Sequence, residues 1–168
     1  MHRFATLMLT AGRLGVSDPC HASEGLDTVL DAEPGAWDAL VTIEKRGGWW
    51  GQRVSSLVLI KVGEDTTLPI EQYVDSLPVD AGLMMFCDAD RLPQLGPDAY
   101  DEVICCHDNL NRDRFQIDDR GVVSDTGLGD GIYKLRVRRN QEGKIVAAKV
   151  SFLDDEEDSE EDMEEIAA

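Results

Sequence analysis

Basic residues are scarce in this chain. Its 168 residues carry 16 Lys and Arg against 34 Asp and Glu, a formal charge of −18. Such a surface repels nucleic acid and anionic membranes at long range, so generic binding to either is disfavoured. Long apolar runs are missing as well. No stretch approaches the ~18 apolar residues of a membrane-spanning helix. Met1-His2-Arg3 followed by Phe4 to Gly12 imitates a secretory leader, but Arg13 interrupts the run and no Ala-x-Ala site follows. The four cysteines, Cys20, Cys87, Cys105 and Cys106, include no Cys-x-x-Cys, and the adjacent two are strained partners for a disulfide. Together these absences point to reduced thiols in a cytoplasmic protein. No Gly-x-x-x-x-Gly-Lys phosphate cradle occurs, and no cofactor is expected.

What is present divides in two. From Asp154 onward there are ten acidic residues and no basic one, leaving 24 acids against 16 bases in residues 1–153. The tail 154–168 cannot bury enough apolar surface to offset its ordering entropy, and disorder is expected there. Residues 1–153 are long enough for one domain with one core.

Alternation of apolar and polar residues dominates that domain. Trp37, Ala39, Val41 and Ile43 share one strand face, and Arg53 to Val62 continues with Val54, Val58 and Ile60 alternating against Leu57 and Leu59. The loop 44–52 joins them. A second hairpin runs from Ile132 to Phe152, with Tyr133, Leu135 and Val137 inward, Val146, Ala148, Val150 and Phe152 sharing a face, and its turn at Asn140 to Gly143. Gly82 to Cys87 and Arg114 to Asp125, turning at Asp119-Arg120-Gly121, read as further strands. Short helices are predicted over 68–77, where Ile70, Tyr73, Val74 and Leu77 recur at helical spacing behind Pro69, and over 97–107. The fold class is mainly β, a sandwich-like body of antiparallel hairpins with one or two short helices.

The two halves echo each other. Pro34-Gly35-Ala36-Trp37 parallels Asp130-Gly131-Ile132-Tyr133, Arg53-Val54 parallels Lys144-Ile145, and Gly12 to Asp18 parallels Gly82 to Asp88. A duplicated β-unit packed face to face would bury both apolar faces.

These landmarks, Gly12-Arg13-Leu14 with Asp18-Pro19, Pro34-Gly35, Val79-Asp80-Ala81-Gly82 with Phe86 and Asp88, and Gly127 to Tyr133, resemble a bacterial and phage family of unknown function (DUF4241-like) over residues 12–153. The resemblance implies a fold class and no known activity. Arg136-Val137-Arg138-Arg139 departs from it in being more basic than that strand requires.

Candidate chemistry is thin. Asp125 and Asp130 flank a glycine-rich loop and could bind a cation or serve as acid and base, but Gly and Asp are also the residues of tight turns. Cys106 and His107 could form a nucleophile–base pair, or Cys105 to His107 could join Cys20 or Cys87 around zinc, although adjacent helical residues point about 100° apart. Asp18-Pro19-Cys20-His21 reads as a turn. The Gly47-Gly48-Trp49-Trp50-Gly51 segment, flanked by Lys45, Arg46 and Arg53, is the least ordinary: Trp and Arg dominate binding hot spots. Six bases, Lys134, Arg136, Arg138, Arg139, Lys144 and Lys149, cluster on the last hairpin, where the acidic tail could dock. The expectation is a non-enzymatic binding protein, immunity- or inhibitor-like, with a protein partner. The rival is a small hydrolase or metal-dependent enzyme using Asp125/Asp130 or Cys106/His107.

Overall fold

The computed structural model describes residues 1–22, 24–46, 51–92 and 113–153. The expected helix over 97–107 and the tail 154–168 lie outside them. Eleven strands are present: β1 (His2–Leu9), β2 (Arg13–Ser17), β3 (Thr28–Asp31), β4 (Gly35–Arg46), β5 (Gly51–Lys61), β6 (Gln72–Val79), β7 (Leu83–Asp88), β8 (Arg114–Ile117), β9 (Gly121–Asp125), β10 (Gly131–Arg139) and β11 (Ile145–Ser151). They form a six-stranded sheet, β1-β4-β5-β11-β10-β6, and a five-stranded sheet, β3-β2-β7-β9-β8, antiparallel at every pairing. The core lies between them, where Leu7, Trp37, Ala39, Leu57, Leu59 and Leu135 of the first sheet meet Leu14, Val16, Met84, Phe86 and Val122 of the second. No helix among the described residues is long and apolar enough to cross a membrane.

The predicted helix over 68–77 is instead irregular backbone to Glu71 and then the first six residues of β6. The helical spacing of Ile70, Tyr73, Val74 and Leu77 is outweighed by β-branched and aromatic side chains and by the sheet edge they can complete. Leu77 and Val79 enter the core while Pro78, which lacks an N–H, sits on an edge strand where its missing donor breaks no ladder. Pro19–His21 forms a 3₁₀ turn after β2.

The strand register has an approximate two-fold that relates the two halves. In the five-stranded sheet β2 and β7 pair about Val16–Phe86, so that Gly15–Cys87 on one side answers Ser17–Met85 on the other. In the six-stranded sheet β5 and β11 pair about Val58–Lys149, with Leu59–Ala148 answering Leu57–Val150. The bulges obey the same relation. One extra residue, Ser55, sits opposite Thr42/Ile43, and its counterpart Val146 sits opposite Arg138/Arg139; Phe4 in β1 is matched by Val74 in β6. Each bulge reverses side-chain parity. This corrects the simple alternation: Val54 joins Leu57 and Leu59 inside, Ile145 joins Ala148 and Val150, and Val58 and Ile60 face outward under Ile70.

Candidate functional site

The β4–β5 hairpin outruns its neighbours. β1 pairs with β4 no further than His2–Val41, and β11 pairs with β5 no further than Ser151–Ser56. Beyond those rungs Ile43 to Arg46 and Gly51 to Val54 pair only with each other, as a two-stranded arm. Lys45 is exposed on it, and Arg53 stands opposite Glu44. Trp49 and Trp50 fall in the connection 47–50, outside the described residues.

The arm rests on the glycine-rich loop after β9. The Arg53 guanidinium donates to the Gly127 carbonyl at 3.4 Å. Gly127 has φ +77°, and a Cβ there would lie 2.3 Å from the Val54 carbonyl oxygen, so glycine alone lets the loop approach the arm. Asp125 accepts the Gly127 N–H at 3.2 Å, and the buried Thr126 N–H donates to the Gly82 carbonyl at 3.1 Å. The Tyr133 hydroxyl donates to the Gly129 carbonyl at 2.7 Å, as Trp37 Nε1 in the other half donates to the carbonyl of Glu33 at 2.9 Å. Asp125 is therefore engaged in turn geometry, and Asp130 is exposed. Cys105, Cys106 and His107 lie outside the described residues.

The basic stripe is partly engaged in the body. Lys134, Arg136 and Arg138 alternate along the outer face of β10, with Lys149 opposite Arg136. Arg138 donates to the carbonyls of Leu68 and Asp65 at 3.0 Å each, and Arg139 to Gln72 and to the Gly143 carbonyl. Lys144 lies 3.8 Å from Asp31.

The densest polar chemistry is elsewhere, in two corners related by the pseudo-two-fold. At the end of β2 the buried Asp18 accepts the Cys20 N–H at 2.9 Å and, across the sheets, the N–H groups of Asp80 and Ala81 at 2.6 and 2.8 Å. At the end of β7 the buried Asp88 accepts the Asp90 N–H at 3.0 Å and, reciprocally, the N–H and hydroxyl of Thr10 at 3.1 and 2.8 Å. Each carboxylate closes the sheet-to-sheet turn of the other half, Asp18 that between β6 and β7 and Asp88 that between β1 and β2. Three residues after each Asp stands a cation. Arg91 bonds Asp88 at 2.9 Å and Asp119 at 3.0 Å; His21 bonds Asp27 through Nδ1 at 2.9 Å and Asp80 through Nε2 at 2.7 Å.

These neighbours set the protonation states. Burial alone would raise the Asp88 carboxyl, but hydrogen bonds from Arg91, Thr10 and Asp90 outweigh it and hold the group below its usual range. His21 is raised to about 9, mainly by its hydrogen bond to Asp27, with that to Asp80 adding to it and burial opposing. The Cys20 thiol is pushed up to about 12 by burial first, then by its hydrogen bond to Asp18 and the surrounding carboxylates. At neutral pH the imidazole is thus a cation and the thiol is neutral, the reverse of a nucleophile–base pair. Donor atoms of Asp18, Cys20 and His21 all lie within 4.8 Å of one another. Read as a bare turn, Asp18 to His21 showed nothing of Asp27 and Asp80. The available signal was the mirrored spacing of Asp18-Pro19-Cys20-His21 and Asp88-Ala89-Asp90-Arg91.

No family model, curated protein or solved structure matches the chain.

Proposed function

We propose that this is a non-enzymatic binding protein that contacts a protein partner through the end of the β4–β5 arm. The observation that carries the reading is the two-stranded extension beyond β1 and β11, whose connection holds Trp49 and Trp50 between Lys45, Arg46 and Arg53. A hairpin that leaves its sheet forfeits neighbour contacts, and aromatic and Arg side chains at its end are suited to recovering them from a partner. The neutral Cys20 thiol beside a cationic His21 is not poised as a nucleophile and base. An immunity- or inhibitor-like role in the cytoplasm suits the acidic body, and the DUF4241-like resemblance, which implies no activity, accords with it.

The test is capture from the native cell by the intact chain and by the Trp49→Ala/Trp50→Ala variant, followed by affinity measurement on the captured partner. Binding should weaken by more than ~2 kcal/mol while folding stability changes by less than ~1. A stability loss of ~3–5 kcal/mol, the cost of emptying a buried aromatic site, would instead make the tryptophans part of the core.

A further inference from the structure

The two corners are matched in backbone and differ in how positive charge is supplied. In the β7 corner three carboxylates, Asp88, Asp90 and Asp119, face two permanent cations, Arg91 and Arg13. In the β2 corner three carboxylates, Asp18, Asp27 and Asp80, face, among the described residues, the imidazole of His21. Where the first corner has Asp90 and Arg91, the second has Cys20 and His21, a thiol and an imidazole. That exchange removes fixed positive charge and brings in two ligands suited to a borderline-soft divalent ion.

We propose that Asp18, Cys20 and His21 form a zinc-class divalent cation site, with Asp80 as the fourth ligand. The donor atoms of Asp18, Cys20 and His21 lie within 4.8 Å of one another around one 3₁₀ turn, and Asp80, whose Oδ2 is 2.7 Å from His21 Nε2, has to swing in to complete the set. Asp18 accepts three backbone N–H groups and the Cys20 thiol, and of the roughly four lone-pair sites of a carboxylate the one that the thiol occupies becomes available to a metal when the thiol loses its proton. One imidazole nitrogen binds the ion while the other remains on its carboxylate, the arrangement that orients metal-bound histidines. Binding releases the thiol proton and the imidazolium proton to solvent, so the ion replaces the proton as the corner's cation. Because Asp80 leads into β7 from the opposite half, the ion would tie the two halves together at the turn that Asp18 already closes. The site is independent of the arm.

Zinc content by mass spectrometry and Co²⁺ absorption on the full chain test this. One equivalent of zinc should survive dialysis, Co²⁺ should show a thiolate charge-transfer band, and zinc should raise the melting temperature. Cys20→Ser should abolish that band and weaken Zn²⁺ binding by about 100-fold or more, given that even outer-shell changes cost up to that much. His21→Arg copies Arg91 of the other corner: it should preserve the melting temperature in chelator and lose the zinc-induced shift. Absence of any zinc-dependent shift or Co²⁺ band in the unmodified chain overturns the proposal. So does a band that survives both Cys20→Ser and His21→Arg, which would move the metal to other cysteines.

Discussion

Asp18→Ala is the substitution that most directly probes the reciprocal clasp between the halves. The carboxylate is fully buried and holds three backbone N–H groups, two of them from Asp80 and Ala81 in the connection between β6 and β7. Each bond to a charged group contributes about 1.5–3 kcal/mol, less than additively, and the orphaned donors add their own desolvation cost. The loss should be about 3–5 kcal/mol, as for other broken buried charge networks. That is a large share of the ~5–15 kcal/mol available to a domain, and at ~2–4 °C per kcal/mol for this size it lowers the melting temperature by roughly 6–20 °C. Asp88→Ala should behave alike, because it releases Thr10 and leaves Arg91 without its buried partner. Asp18 and Asp88 stand at opposite ends of the β2–β7 pairing, where Asp88 is opposite Leu14. Four residues of strand separate them along the pair, about 13 Å, so the two losses should add to within ~0.5 kcal/mol. Urea unfolding of both single variants and the double variant, in chelator, gives the cycle. A loss under ~1 kcal/mol for Asp18→Ala would show that water replaces the carboxylate, and the clasp would carry no weight.

In metal-free protein the His21 clasp should be pH-dependent. Its pKa is raised on folding from 6.5 to about 9, so its contribution is complete below about pH 6.5 and disappears as pH rises through about 9. Asp80 is 74% exposed, so screening reduces the effect to about 1–2 kcal/mol; His21→Gln should flatten that window, and an imidazole midpoint near 6.5 by NMR would contradict the clasp. Gly127→Ala, at φ +77° and facing the Val54 carbonyl, should cost about 2 kcal/mol or more, whereas Gly143→Ala, at φ +82° with open space around it, should cost only the ~1 kcal/mol of backbone strain. Equal losses by thermal unfolding would remove the steric argument for the arm's buttress. A chain ending at Leu153 should bind heparin more tightly at low salt than the full chain if the acidic tail covers the β10–β11 stripe; equal binding would leave those bases as loop staples only.

Local pattern carried the strand content. The alternation of Trp37 to Val41 and of Tyr133 to Val137 survived into the core because a two-residue period matches a sheet with one buried face. Repeated landmarks such as Gly12 to Asp18 and Gly82 to Asp88 marked the related halves, since turns and caps demand particular residues wherever they recur. The structure alone decided where parity breaks: bulges at Ser55 and Val146 are set by the register between strands, which no single strand encodes. It alone replaced the helical spacing over 68–77 with the edge strand β6 from Gln72, because the open flank of β10 offered a ladder of partners. It alone brought Asp27 and Asp80 to His21 and Asp18 to the turn at Asp80, contacts that span up to 63 residues and arise from folding one half against the other.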